Sequence, residues 1–107
     1  MIQSVVVGGG ILGGGIAVSL ALAGHAVTVV EPNESARARL KTHFAEHRWP
    51  SQALVPSVAA ELQALASAEL VIEAAPEDVE LKRDVWRRIG AIAPEIAILA
   101  TNTSSLD

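Results

Sequence analysis

The chain has no cysteine and no tyrosine, and a single phenylalanine and two tryptophans make up its aromatic content of 3%. Without thiols there is no disulfide framework and no thiolate metal site, and the cytoplasm is the expected location. With so few rings the core has to be assembled from Ala, Val, Leu and Ile. A hydrophobic content of 50% over 107 residues allows that in one compact domain. Positive charge is scarce too: 8 Lys and Arg against 12 Asp and Glu, for a net charge of −4, with no basic stripe. Nucleic acid is therefore not an expected partner, except as a nucleotide cofactor. The uncharged run over residues 1–30 is long enough to be mistaken for a membrane span or a signal sequence. Its glycines and the lack of a basic N-terminal flank argue against both a span and a signal sequence.

What the chain does have is glycine in one place. Six of its eight glycines fall between Gly8 and Gly15, inside "VVVGGGILGGGIAVSLALAGHAVTVVE". Residues 4–7 and 26–30 read as short buried strands, and residues 12–23 as an Ala- and Leu-rich helix stopped by Gly24. Buried strand, helix, buried strand is the pattern of a parallel βαβ unit. Asn33 is suited to cap a second helix that carries Ala36, Leu40 and Phe44 on one face and ends at Trp49-Pro50. A short strand at 53–55 is expected next, then a small helix capped by Ser57 and bearing Val58, Leu62 and Leu65. Strands at 70–74 and 96–100 flank a helix at 76–89 whose inner residues are Leu81, Val85 and Ile89. Strands and helices alternate without repeat or linker. The economical architecture is α/β: a doubly wound parallel sheet of the Rossmann type, three layers α/β/α, in a single domain.

Gly8, Gly10 and Gly13 fit G-x-G-x-x-G between a strand and a helix. In that setting Gly8 permits the turn and Gly10 leaves room for a pyrophosphate, which would meet the free N–H groups of Ile11, Leu12 and the rest of the first helical turn. Gly13 lets the helix pack against the strand, and Gly15 is expected to extend that closeness. Glu31 ends the second strand, where a carboxylate accepts hydrogen bonds from an adenosine ribose. That carboxylate would repel a 2′-phosphate, and the next basic residue, Arg37, sits more than a turn into the following helix. NAD is favoured over NADP. FAD stays open at this point, because the same opening also resembles that of amine- and amino-acid-oxidising flavoproteins.

The second half narrows the choice. "LVIEAAPEDVELKRDVWRRIGAIAPEIAILATNTSSLD" resembles the L-3-hydroxyacyl-CoA dehydrogenase family, whose NAD-binding domain has a VIEA-x-x-E strand end, an amphipathic helix and a strand ending in TNTSSL. By that resemblance Glu77 and Lys82 stand beside the nicotinamide and its ribose, with Ala75 also near the cofactor. Asn102 lies near the reactive centre, and Ser104 hydrogen-bonds the substrate's 3-oxygen. The implied reaction is oxidation of a 3-hydroxyacyl-CoA to the 3-oxoacyl-CoA with NAD.

Two departures accompany the resemblance. Residues 32–68 are shorter than the family's usual connection, whose helical insertion contacts CoA. The family's catalytic histidine lies beyond TNTSSL, followed by its glutamate partner and a helical domain that closes the cleft and forms a homodimer. Residues 1–107 thus read as the NAD-binding domain alone, and as such inactive. His25 is expected to be exposed in its turn. His43 and His47 match H-x-x-E-H, a zinc-peptidase pattern, but Phe44 belongs to the core stripe and no third ligand is evident, so no metal is expected. Their helix is expected to lead away from the glycine loop. The competing readings are the FAD-binding start of a flavoprotein oxidase and a stand-alone nucleotide-binding module.

Overall fold

The computed structural model of the chain describes residues 1–74, 79–92 and 98–101, with the backbone alone at 79–82, 85 and 98–101. Its elements are β1 (Gln3–Val7), α1 (Ile11–Leu22), β2 (Ala26–Val30), α2 (Glu34–Glu46), β3 (Ser57–Ala59), a 3-10 turn at Leu62–Ser67, β4 (Leu70–Glu73), α3 (Val79–Ile92) and β5 (Ile98–Thr101). The described strands are all parallel and form one sheet in the order β3-β2-β1-β4-β5. The chain builds outward from β1 to β3, then returns to the other side of β1 for β4. Strand order therefore reverses between β1 and β4, where open α/β sheets leave a crevice at the carboxyl ends of their strands. Val7 pairs with both Val30 and Glu73, Val30 with Ala59, and Glu73 with Thr101, so the five described strands finish level along that edge.

The valines pack both faces of the sheet, which is why strands of this kind read as continuous apolar runs rather than alternating ones. Val6, Val27 and Val29 face α1 and α2 and pack with Ala17, Ala21, Leu40 and Phe44. Val5, Val7, Val30 and Val71 face the other way, against Leu62, Leu65, Ala68 and Ile89. The result is the expected α/β/α layering. Gly24 takes φ +96° and ends α1, with the Gly24 and His25 N–H groups donating back to Ala21 and Leu20. Asn33 caps α2, its Oδ1 accepting from the Ala36 N–H at 2.9 Å. The Trp49 indole N–H donates to the Phe44 carbonyl at 2.8 Å and secures the far end of α2.

Between α2 and β4 the structure differs from the sequence reading. The third strand is Ser57–Ala59 rather than 53–55, and Ser57 opens it instead of capping a helix. Pro56 has no N–H to give the ladder, so pairing with β2 begins just after it, while Leu54 and Val55 remain exposed. The small helix is a 3-10 turn. Its buried residues, Leu62 and Leu65, are three apart, the spacing that stacks side chains in that helix type. In α3, Ile89 is fully buried as expected, and the side chains of Leu81 and Val85 lie outside the described residues. Among the described residues no helix is long and apolar enough to cross a membrane.

Leu65 is 0% exposed at the centre of one core cluster. Leu65→Ala should cost about 2–5 kcal/mol in urea unfolding, and Leu54→Ala no more than about 0.5 kcal/mol.

Candidate functional site

The level edge of the sheet is shaped by the exit from β1. Gly8 takes φ +107°, a conformation that side chains disfavour, and its N–H donates to the Val30 carbonyl at 2.9 Å. The chain then enters α1 through Gly10, which sits at the N-cap with no side-chain cap, and no acid occupies the first turn of the helix. The first N–H groups of α1 thus have neither an intrahelical partner nor a carboxylate of their own, the condition under which a helix N-terminus receives an anion. A Cβ built on Gly10 would meet nothing within 4 Å, so the space in front of the loop is open. A Cβ on Gly13 would lie 1.9 Å from the Gly8 carbonyl oxygen, and only glycine lets α1 come so near β1.

Gly15, expected to serve the same closeness, does not. Its Cβ would point into open space, and Gly14 is the glycine that packs inward, with Leu40 Cδ2 at 3.2 Å from an added Cβ. Helical rotation decides this, since residue 14 falls on the face toward α2 and residue 15 on the outer face. Gly9, outside the motif spacing, is equally constrained: an added Cβ would meet Leu40 Cδ1 at 2.4 Å and Glu31 Cβ at 2.9 Å. The unbroken "GGG" was the available signal for it.

Glu31 stands beside the loop and holds it. Its Oε1 accepts from the Gly9 N–H at 2.9 Å and its Oε2 from the Asn33 N–H at 2.8 Å. Each carboxylate oxygen retains lone-pair capacity for a ribose hydroxyl. Arg37, one turn into α2, bends back so that Nη1 donates to the carbonyls of Glu31 and Pro32 at 3.0 and 2.8 Å. It is therefore not remote from the turn, as its sequence position suggested.

A cleft of about 400 Å³ lies between the loop and α2, lined by Gly9, Gly10, Ile11, Gly14, Arg39, Leu40 and His43. This corrects the expectation that the helix of His43 leads away from the glycines. Leu40 packs under the loop, and its helical neighbours Arg39 and His43 come with it. Ile11 is 99% exposed and Leu12 is exposed beside it. His25 is also corrected. It is half-buried, with Nδ1 2.6 Å from the Oγ of buried Ser4, at the opposite edge of the sheet.

His43 and His47 have ring centroids 6.5 Å apart, and His47 rests on Trp49 at 4.5 Å. Among the described residues no group of three His, Cys, Asp or Glu is placed to hold a metal ion. Glu73 was not singled out in the sequence. It ends β4 completely buried, and its side chain is engaged in a polar interaction. Ala75, Glu77, Asn102 and Ser104 lie outside the described residues, and of Lys82 only the backbone in α3 is described.

A parallel sheet with a glycine turn, an uncapped helix N-terminus and a carboxylate at the end of the neighbouring strand defines a dinucleotide-binding Rossmann fold. Comparison with known proteins narrows this. The family model described as 3-hydroxyacyl-CoA dehydrogenase, NAD binding domain, matches residues 3–107, and the chain belongs to that family, with NAD as its cofactor. The flavin alternative is thereby set aside. The chain is 34% identical over 109 residues to L-carnitine dehydrogenase of Streptomyces coelicolor, covering 92% of this chain and 34% of that protein. It is 33% identical over 120 residues to mitochondrial hydroxyacyl-coenzyme A dehydrogenase of Homo sapiens, covering 94% and 38%. Among solved structures, a diketoreductase superposes with a TM-score of 0.84 at 34% identity, covering 97% of this chain and 42% of that one. The 3-hydroxyacyl-CoA dehydrogenase of Archaeoglobus fulgidus gives 0.80 at 26% identity, covering 97% and 34%. The chain spans between a third and two fifths of the length of these curated relatives.

The loop geometry separates three substitutions. Gly10→Val should leave the melting temperature close to wild type and abolish NADH binding in calorimetry, because its side chain projects only into the ligand's approach. Gly13→Ala should destabilise the fold, by about 1–3 kcal/mol. Gly15→Ala should raise stability by about 0.5–1 kcal/mol, the helix-interior gain over glycine.

Proposed function

We propose that these residues are the cofactor-binding part of an enzyme that oxidises the 3-hydroxyl of a 3-hydroxyacyl-CoA. The observation that carries this reading is the pairing of the open loop at Gly10 with the Glu31 carboxylate, in a chain that matches the family over residues 3–107. Bound NAD would supply the hydride acceptor for C3 of the substrate, and the protein would supply position and charge. The N–H groups of Ile11, Leu12 and Gly13 would hold the pyrophosphate against the positive end of α1. Glu31 would hold the adenosine ribose. On the far side of the switch point, beyond β4 and β5, we assign Ala75, Glu77, Lys82 and Asn102 to the nicotinamide half and Ser104 to the substrate's 3-oxygen. The support for these five is the resemblance of "VIEAAPEDVELK" and "TNTSSL" to the family.

In the same reading residues 1–107 form one domain, and the base that removes the hydroxyl proton, the cleft-closing segment and the dimer contact belong to a longer polypeptide. None of the three histidines here is that base. His25 precedes β2 at the wrong edge, and α2, with His43 and His47, covers the adenosine side of the sheet at β2 and β3. A second reading is favoured by the 34% identity to L-carnitine dehydrogenase over 92% of this chain. In that reading the substrate class is a small 3-hydroxy acid without CoA.

Fluorescence titration should show NADH binding more tightly than NADPH, and Glu31→Ala should narrow the gap. Each ribose bond to the carboxylate is worth at most about 1.5–3 kcal/mol. Equal wild-type affinities would contradict the placement of the ribose. The 107-residue chain should form no NADH from 3-hydroxybutyryl-CoA or from carnitine, since a positioned base contributes about 10²–10⁴-fold. Steady NADH formation from 3-hydroxybutyryl-CoA by this chain would show that the base lies within it.

A further inference from the structure

The turn after β2 already binds an anion, and the anion is its own. The two oxygens of Glu31 take the Gly9 and Asn33 N–H groups at 2.9 and 2.8 Å. Behind them the half-buried Arg37 guanidinium is fixed by Nη1 on the carbonyls of Glu31 and Pro32. A guanidinium has five N–H donors. Those on Nη2 and Nε have no partner among the described residues, and no ion pair there joins Arg37 to an acid. Two backbone donors therefore hold one carboxylate, on the residue that would hold the adenosine ribose, and a guanidinium is fixed on the backbone carbonyl of that same residue.

We propose that this turn is a 2′-phosphate site kept closed by the Glu31 carboxylate, with Arg37 as its cation. The inference rests on the reading that the adenosine ribose lies at Glu31. It follows that Glu31 alone excludes NADP, and not the want of a positive charge at the turn. Shortening Glu31 frees the Gly9 and Asn33 N–H groups, removes the repulsion and leaves the guanidinium in place. A phosphate on the ribose 2′-oxygen then supplies the oxygens that the carboxylate withdrew. Charge-assisted bonds from guanidinium to phosphate are about twice as strong as neutral ones, so the exchange favours the phosphorylated cofactor.

Three proteins test this by equilibrium titration with NADH and NADPH: wild type, Glu31→Ser and Glu31→Ser/Arg37→Gln. The single variant should come to prefer NADPH by about tenfold or more, and the double variant should lose that preference. A melting curve of each establishes that it is folded. Where the double variant is not, ionic strength supplies the answer. Between about 0.05 and 0.5 M salt, NADPH binding by Glu31→Ser should weaken much more steeply than NADH binding. The proposal is overturned if Glu31→Ser gains no preference for NADPH, if it gains the same preference without Arg37, or if salt weakens both cofactors in parallel. A wild-type chain that binds no NADH would overturn the reading of the site itself, a result distinct from a failed switch in a chain that binds it.

Discussion

The close approach of α1 to the exit of β1 is the contact on which the site depends. With a Cβ on Gly13 placed 1.9 Å from the Gly8 oxygen, no other residue permits the helix to start where it does. That position aims the unpaired N–H groups of the first turn across the crevice at the end of the sheet. A helix shifted outward by even a methyl group would carry those donors with it. The neighbouring constraint at Gly9 brings Leu40 and Glu31 against the same loop, so α2 and the turn after β2 are set by the backbone of one short segment.

A core almost without aromatic residues suits this geometry. Ala17 and Ala21 place α1 low on the sheet, above Val6, Val27 and Val29, where larger side chains would lift it. The single phenylalanine, Phe44, fills the space under the end of α2, and Trp49 closes that end through the Phe44 carbonyl. On the opposite face Leu62 and Leu65 reach the sheet from a 3-10 turn, which spans the way from β3 to β4 with few residues.

The charges of the site serve two ends at once. Glu31 is a structural clasp, since its oxygens join Gly9 to Asn33 across 24 residues and fix the loop against the turn. In the proposed function it is also the group that faces the adenosine ribose. A residue with both duties couples cofactor choice to loop geometry, and replacing it alters both. Arg37 shares the first duty through the carbonyls of Glu31 and Pro32.

The strands over residues 4–7 and 26–30, α1, the Asn33 cap and the inner face of α2 were legible in the sequence because local patterns specify them. Short valine runs, helical spacing and a cap residue act over a few neighbours. The doubly wound order followed as well, from alternation of strands and helices. The position of β3 was not legible, since Ser57–Ala59 is a strand only through its pairing with β2. Which of Gly14 and Gly15 packs inward depended on the rotation of α1 against α2. His25 meeting Ser4, His43 reaching the cleft and Arg37 folding back onto Glu31 are contacts between side chains and elements separated in the chain. Sequence determined the elements and the glycine loop through short-range sterics and hydrogen bonding. Only the tertiary structure decided what faces that loop, because packing across elements sets the rotation of each helix and the register of each edge strand.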